Sequence, residues 1–277
     1  MGKQHRRREG ADDGGERVKR IGVFDSGIGG LTVLRRLRAA FPRMDMVYLG
    51  DLARVPYGGR SVETITRYAV DDVEFLLQRD VEAVVIACGT VSSNSLETLR
   101  DRYGLPVFGV IDSAARRAAE TTRTGCVGVI GTQATVKSGA FERAILAANG
   151  GARVISRACP LIVPLVENGV AADDIVAETV CGRYLDAFRE QDTDRLIMGC
   201  THYPVYRAAF EKLLPSAEMI DVGEALAEDL RAVFGEADGE GRTDFYVTER
   251  SAAFDELVYN IDPETDPGSI RVARIEE

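Results

Sequence analysis

From residue 20 onward the chain alternates short Val- and Ile-rich runs with longer amphipathic stretches, and the whole alternation then repeats. "RIGVF" (20–24), "DMVYLG" (45–50), "VEAVVIA" (81–87) and "LPVFGVI" (105–111) have the length and β-branched content of buried strands. "LTVLRRLRAAF" and "VETITRYAVDDVEFLLQR" space their apolar residues at helical intervals. Parallel strands need a crossover of a dozen or more residues, usually a helix, so this order predicts βαβ units and a mostly parallel sheet. The pattern then starts again: "CVGVIGTQATVKSGAFERAIL" (126–146) resembles "RIGVFDSGIGGLTVLRRLR" (20–38), and "AVVIACGT" (83–90) is echoed by "DRLIMGCT" (194–201). The two echoes come in the same order at nearly the same offset, which predicts a duplicated α/β unit.

Composition narrows the function classes. The 277 residues are 45% hydrophobic and 28% charged, the profile of a globular protein with a real core. A formal net charge of −10 argues against an extended nucleic-acid surface, which needs clustered Lys and Arg. No apolar run is long enough to span a membrane. Five cysteines at irregular spacing suggest no disulfide framework, so a reducing, cytoplasmic setting is expected. Residues 1–20, rich in charge and poor in aliphatics, predict a disordered tail without a signal-peptide apolar core, and His5 within it is given no role.

In open parallel sheets, ligands bind beyond the carboxyl ends of the strands. Four polar turns fall there: Asp25-Ser26-Gly27, Cys88-Gly89-Thr90, Gly131-Thr132 and Gly199-Cys200-Thr201-His202. If the two units face each other, Cys88 and Cys200 approach one cleft from opposite sides. A thiol is a base when ionised and an acid when protonated. One on each face of a carbon can take a proton from one side and return it on the other, inverting a stereocentre. Ser26, Thr90, Thr132, Thr135 and Thr201 would supply hydroxyl donors, and the turn N–H groups could cradle a carboxylate. Asp25 and His202 are titratable groups beside the thiols.

At these residues the chain resembles the cofactor-independent glutamate racemases of bacterial cell-wall synthesis. The resemblance rests on "FDSGIGGLTVL" (24–34), "YLGDLARVPYGGRS" (48–61), "VVIACGT" (84–90), "VGVIGTQATVKSGAF" (127–141), "PLVENG" (164–169) and "GCTHYP" (199–204). It implies Cys88 and Cys200 as the acid/base pair, the first deprotonating D-glutamate and the second L-glutamate. Asp25, Glu167 and His202 match assisting residues, and Ser26, Tyr57, Gly58, Thr90, Thr132 and Thr201 match substrate-binding positions. It also implies two similar α/β domains, 21–112 with 222–277 and 113–221, an interdomain cleft, no cofactor, no metal and a homodimer.

One departure bears on the substrate. The family usually has asparagine directly after the first cysteine, where this chain has Gly89. A missing partner for a desolvated charged group costs roughly 1.5–3 kcal/mol, and Ser92, Ser93, Asn94 or water are the expected substitutes. Ser113 stands where the family usually has proline. Other readings are blander. Cys126, Cys159 and Cys181 read as inert core cysteines, Asp25 as a helix N-cap, Tyr57 as a surface turn, Glu167 as a solvated carboxylate and His202 as a structural histidine. The glycines of "DSGIGG" do not fit a dinucleotide loop, and no C-x-x-C or phosphate-loop signature is present. The competing functions are an aspartate or other acidic amino-acid racemase, a non-catalytic binding protein and a thiol-redox protein.

Overall fold

The predicted alternation becomes two parallel sheets in the computed structural model, which describes residues 18–275. Most of the expected tail, His5 included, lies outside those residues. Arg20, counted with the tail from sequence, is the first residue of a strand. The strands are β1 (Arg20–Asp25), β2 (Asp45–Gly50), β3 (Ala83–Ile86), β4 (Val107–Gly109), β5 (Cys126–Gly131), β6 (Arg153–Ala158), β7 (Arg195–Met198), β8 (Glu218–Asp221), β9 (Thr243–Val247) and β10 (Arg271–Val272). The first sheet runs β10-β9-β2-β1-β3-β4 and the second β6-β5-β7-β8. The last two strands thus return to the sheet that the first residues began.

The repeat has a packing counterpart. Gly22 in β1 and Gly128 in β5 hold the same place in their units, and each lies under a large side chain of a crossover helix. A Cβ on Gly22 would come 2.9 Å from Leu76, and one on Gly128 would come 2.8 Å from Phe188. The helices Val62–Leu77 and Ile175–Arg189 can therefore seat closely on their central strands. The copies differ in their first crossover. Leu31–Ala40 is one continuous helix, whereas its counterpart is interrupted at Gly139, with helices Gln133–Ser138 and Ala140–Ala148 on either side.

The halves share one core. Ala114, Ala115 and Ala118 of helix Ile111–Thr121, and Leu226 and Leu230 of helix Val222–Phe234, are almost fully buried in a cluster reaching from Ile21 and Val23 to Val127 and Val129. Small alanines let these helices fit between the sheets, and the shared burial holds the strand ends of the two halves in register with each other.

Candidate active site

The loops after β1, β2 and β3 face those after β5, β6 and β7 across a cavity of about 300 Å³, at the small end of the range for ligand pockets. Its walls bring together Cys88 and Cys200 with Ser26, Gly27, Tyr57, Gly58, Gly89, Thr90, Thr132, Glu167, Thr201 and His202. Thr90 Oγ1 lies 3.0 Å from Thr132 Oγ1, and that hydroxyl lies 3.0 Å from Thr135 Oγ1, so a chain of hydroxyls crosses from one half to the other.

The two thiols have different neighbours. Cys88 follows β3, and its Sγ lies 3.2 Å from Ser26 Oγ. Burial, reinforced by the neighbouring Asp25, pushes this thiol up to about 12, so it rests protonated at neutral pH. Asp25 itself is 1% exposed. Its Oδ2 accepts from the Gly30 N–H at 2.8 Å, and its Oδ1 is buried without a hydrogen-bond partner among the described residues. Burial holds the Asp25 carboxyl above the ordinary carboxylate value, against the opposing pull of His202 and of the Gly30 N–H.

Across the cavity, His202 sits between Cys200 and Glu167. Its Nδ1 is 3.9 Å from Cys200 Sγ and its Nε2 is 3.1 Å from Glu167 Oε1. Burial alone would push the imidazole down, but the hydrogen bonds to Cys200 and Glu167 and their charges overcome it and push His202 up to about 10. At neutral pH both ring nitrogens then carry protons. One ring nitrogen faces the Cys200 sulfur and the other the Glu167 carboxylate.

This raised value makes stability depend on pH. His202 goes from an ordinary value of 6.5 when unfolded to about 10 when folded. Its contribution is therefore complete below pH 6.5 and is lost as pH climbs through 10. The excess melting temperature of the wild type over His202→Gln is expected to shrink steadily across that window, as thermal unfolding at successive pH values will show.

Not every residue singled out from sequence reaches the cavity. Asp25 and Thr135 sit behind its wall. Tyr57 is no surface turn: it is 1% exposed, and its hydroxyl donates to Asp51 and, at 3.3 Å, to Asp72. Only its ring and backbone are left to face the cavity. The substitutes expected for the side chain missing at Gly89 are committed elsewhere. Ser92 donates to the Ile86 carbonyl at 3.1 Å, while Ser93 and Asn94 donate to the Thr90 carbonyl at 3.0 and 2.8 Å. Cys159, read as core, is buried but also borders the cavity.

Sequence reasoning missed the support beneath the loop 55–59. Arg54 bonds Asp51, Asp71 and Asp72, with Asp51 Oδ1 also accepting from Thr248 at 2.9 Å. Asp51 and Asp72 are fully buried. Burial, then the Asp51 charge, holds Asp72 well above the ordinary carboxylate value. Arg54→Met would strip these carboxylates of their cation, and removal of one partner from a buried pair costs about 3–5 kcal/mol. Urea unfolding is expected to show a loss in that range, along with a raised KM from loosening of the loop.

A family model described as Asp/Glu/Hydantoin racemase matches residues 21–230 of this chain. The chain belongs to that racemase family. A glutamate racemase of Aquifex aeolicus is 45% identical over 239 residues, covering 86% of this chain and 92% of the relative. Among solved structures of racemases, a glutamate racemase of Bacillus anthracis superposes with a TM-score of 0.87 at 33% identity, covering 93% of this chain and 98% of that one. That of Francisella tularensis, solved with D-glutamate, gives 0.85 at 31% identity with the same coverage.

Proposed function

We propose that this chain interconverts L- and D-glutamate by a two-base mechanism carried by Cys88 and Cys200. In the L-to-D direction, the Cys200 thiolate takes the α-proton, leaving a carbanion that Cys88 protonates from the opposite face. The reverse reaction exchanges these roles. His202, backed by Glu167, is the titratable neighbour through which Cys200 exchanges its proton. Asp25, buried beside Cys88, is placed to accept that thiol's proton. Both proton carriers are side chains, so the steps call for no cofactor. Donors around the cavity hold the substrate and stabilise the charge that develops.

The observation that carries this reading is the placement of two cysteines on facing strand ends of one cavity, each with its own titratable neighbour. The matches to glutamate racemases along most of the chain support glutamate as the substrate over aspartate. D-glutamate, the product of glutamate racemases, goes to peptidoglycan synthesis. Sheet membership supports a division into domains 21–112 with 222–277 and 113–221. Among the described residues no helix is long and apolar enough to cross a membrane. All five cysteines are free, which fits the cytoplasm, and a homodimer is the assembly the resemblance implies. Purified chain incubated with L-glutamate or L-aspartate, without added cofactor, is expected to yield D-glutamate by chiral chromatography and far less D-aspartate. The reverse preference would make it an aspartate racemase, and inertness towards both would leave a binding protein.

A further inference from the structure

Thr32 sits in the first turn of helix Leu31–Ala40, is 3% exposed and lies outside the cavity wall. Its hydroxyl nevertheless crosses to the other half, 2.9 Å from the Thr201 carbonyl oxygen. The Gly29 carbonyl is equally close, but it already accepts from the Thr32 N–H at 3.0 Å, which leaves the hydroxyl hydrogen for Thr201. The Thr201 carbonyl needs a donor from beyond its own turn. Three residues on stands Pro204, which has no N–H. The Val205 N–H donates to the His202 carbonyl instead, at 3.2 Å. Thr32 supplies the missing donor, and the peptide it holds is the one that joins Thr201 to His202. The imidazole beyond that peptide rests on the same loop. A Cβ on Gly29 would come 2.5 Å from His202 Nδ1 and 2.6 Å from its Cε1, so the glycine's α-carbon lies against the ring.

We propose that Thr32 is a positioning residue for His202: by donating to the Thr201 carbonyl it fixes the Thr201–His202 peptide and so holds the imidazole at its working distance from Cys200. The residue comes from the half that carries Cys88, so the group that assists one thiol is set in place by the half that carries the other. Cys88 itself does not depend on the contact. Asp25 beside it is held from its own loop by the Gly30 N–H at 2.8 Å, and the Thr201 hydroxyl reaches that carboxylate only at 3.4 Å. Loss of the Thr32 hydroxyl therefore loosens the Cys200 side of the site and spares the Cys88 side.

This inference rests on the two-thiol reading, and its test distinguishes the two. Glutamate carrying chloride on Cβ needs only one thiol. The thiolate takes the α-proton, the C–H electron pair forms the Cα–Cβ double bond, and chloride leaves. The enamine hydrolyses to a 2-oxo acid and ammonium. Thr32→Val keeps the shape of the side chain and removes its hydroxyl. It is expected to slow elimination from the L-enantiomer, which Cys200 deprotonates, by about 10-fold, less than the loss of a whole proton-transfer group. Elimination from the D-enantiomer should stay near the wild-type rate. Thr32→Ser, which restores the donor, is expected to recover the L-rate. Equal slowing of both enantiomers, an unchanged L-rate, or a serine variant as slow as the valine one would each overturn the proposal. If Thr32→Val does not fold, Thr32→Ala takes its place under the same criteria. A wild-type chain inert towards both glutamate and the chlorinated substrate would overturn the function itself, and this role with it.

Discussion

Cys200→Ser is expected to lose at least about 10³-fold in racemisation, in keeping with removal of one of two proton carriers, yet to retain chemistry on one enantiomer. With Cys88 intact, the D-enantiomer of the β-chloro substrate should still be deprotonated and lose chloride, while the L-enantiomer becomes inert. Cys88→Ser should show the mirror image. A misfolded variant would lose both reactions, and a single swinging base would not sort the enantiomers, so the crossed pattern is specific to two opposed thiols. Release of the 2-oxo acid from each enantiomer, followed by a coupled dehydrogenase, gives the readout.

The assisting residues should sort in the same way. His202→Gln removes the imidazolium that lies 3.9 Å from Cys200 Sγ, and Asp25→Asn removes the carboxylate beside Cys88. Each is expected to slow elimination from its own cysteine's enantiomer by about 10²-fold, the lower end for a positioned proton-transfer group. The other enantiomer should change little. Racemisation cannot show this asymmetry in kcat/KM. Enantiomers are equally stable, so the equilibrium constant is unity and any variant must lower kcat/KM by one factor in both directions. Equal losses in racemisation beside unequal losses in elimination are therefore the expected combination. Equal losses in both assays would mean that Asp25 and His202 serve the cavity as a whole.

The features legible in the sequence were those encoded over short stretches. β2 occupies the span its apolar run predicts, because a strand buried on both faces is a continuous hydrophobic segment. β4 is shorter than its run, since Ile111 turns its apolar side chain to the core from a helix instead. Cys88, Cys200 and His202 could be found because each lies within a few residues of a strand's end. Glu167 could not be found from its own neighbourhood: it meets His202 only when helix Ile162–Glu167 folds over the cavity. The Arg54 cluster joins residues from β2's loop, a crossover helix and the end of β9, so no local pattern announces it. Gly89 reads from sequence as a missing side chain, and only the fold shows that the Gly199 carbonyl, brought up by the other half, lies 2.2 Å from where its Cβ would stand.

The central claim is that one group takes the proton and a different one returns it. Its most direct test is proton NMR with chiral analysis of L-glutamate turned over in D₂O by the purified chain, sampled early. The account predicts that D-glutamate forms carrying deuterium at Cα while the remaining L-glutamate keeps its α-proton. D-glutamate that retains the original α-proton would mean that a single base carries it across, and would contradict the account.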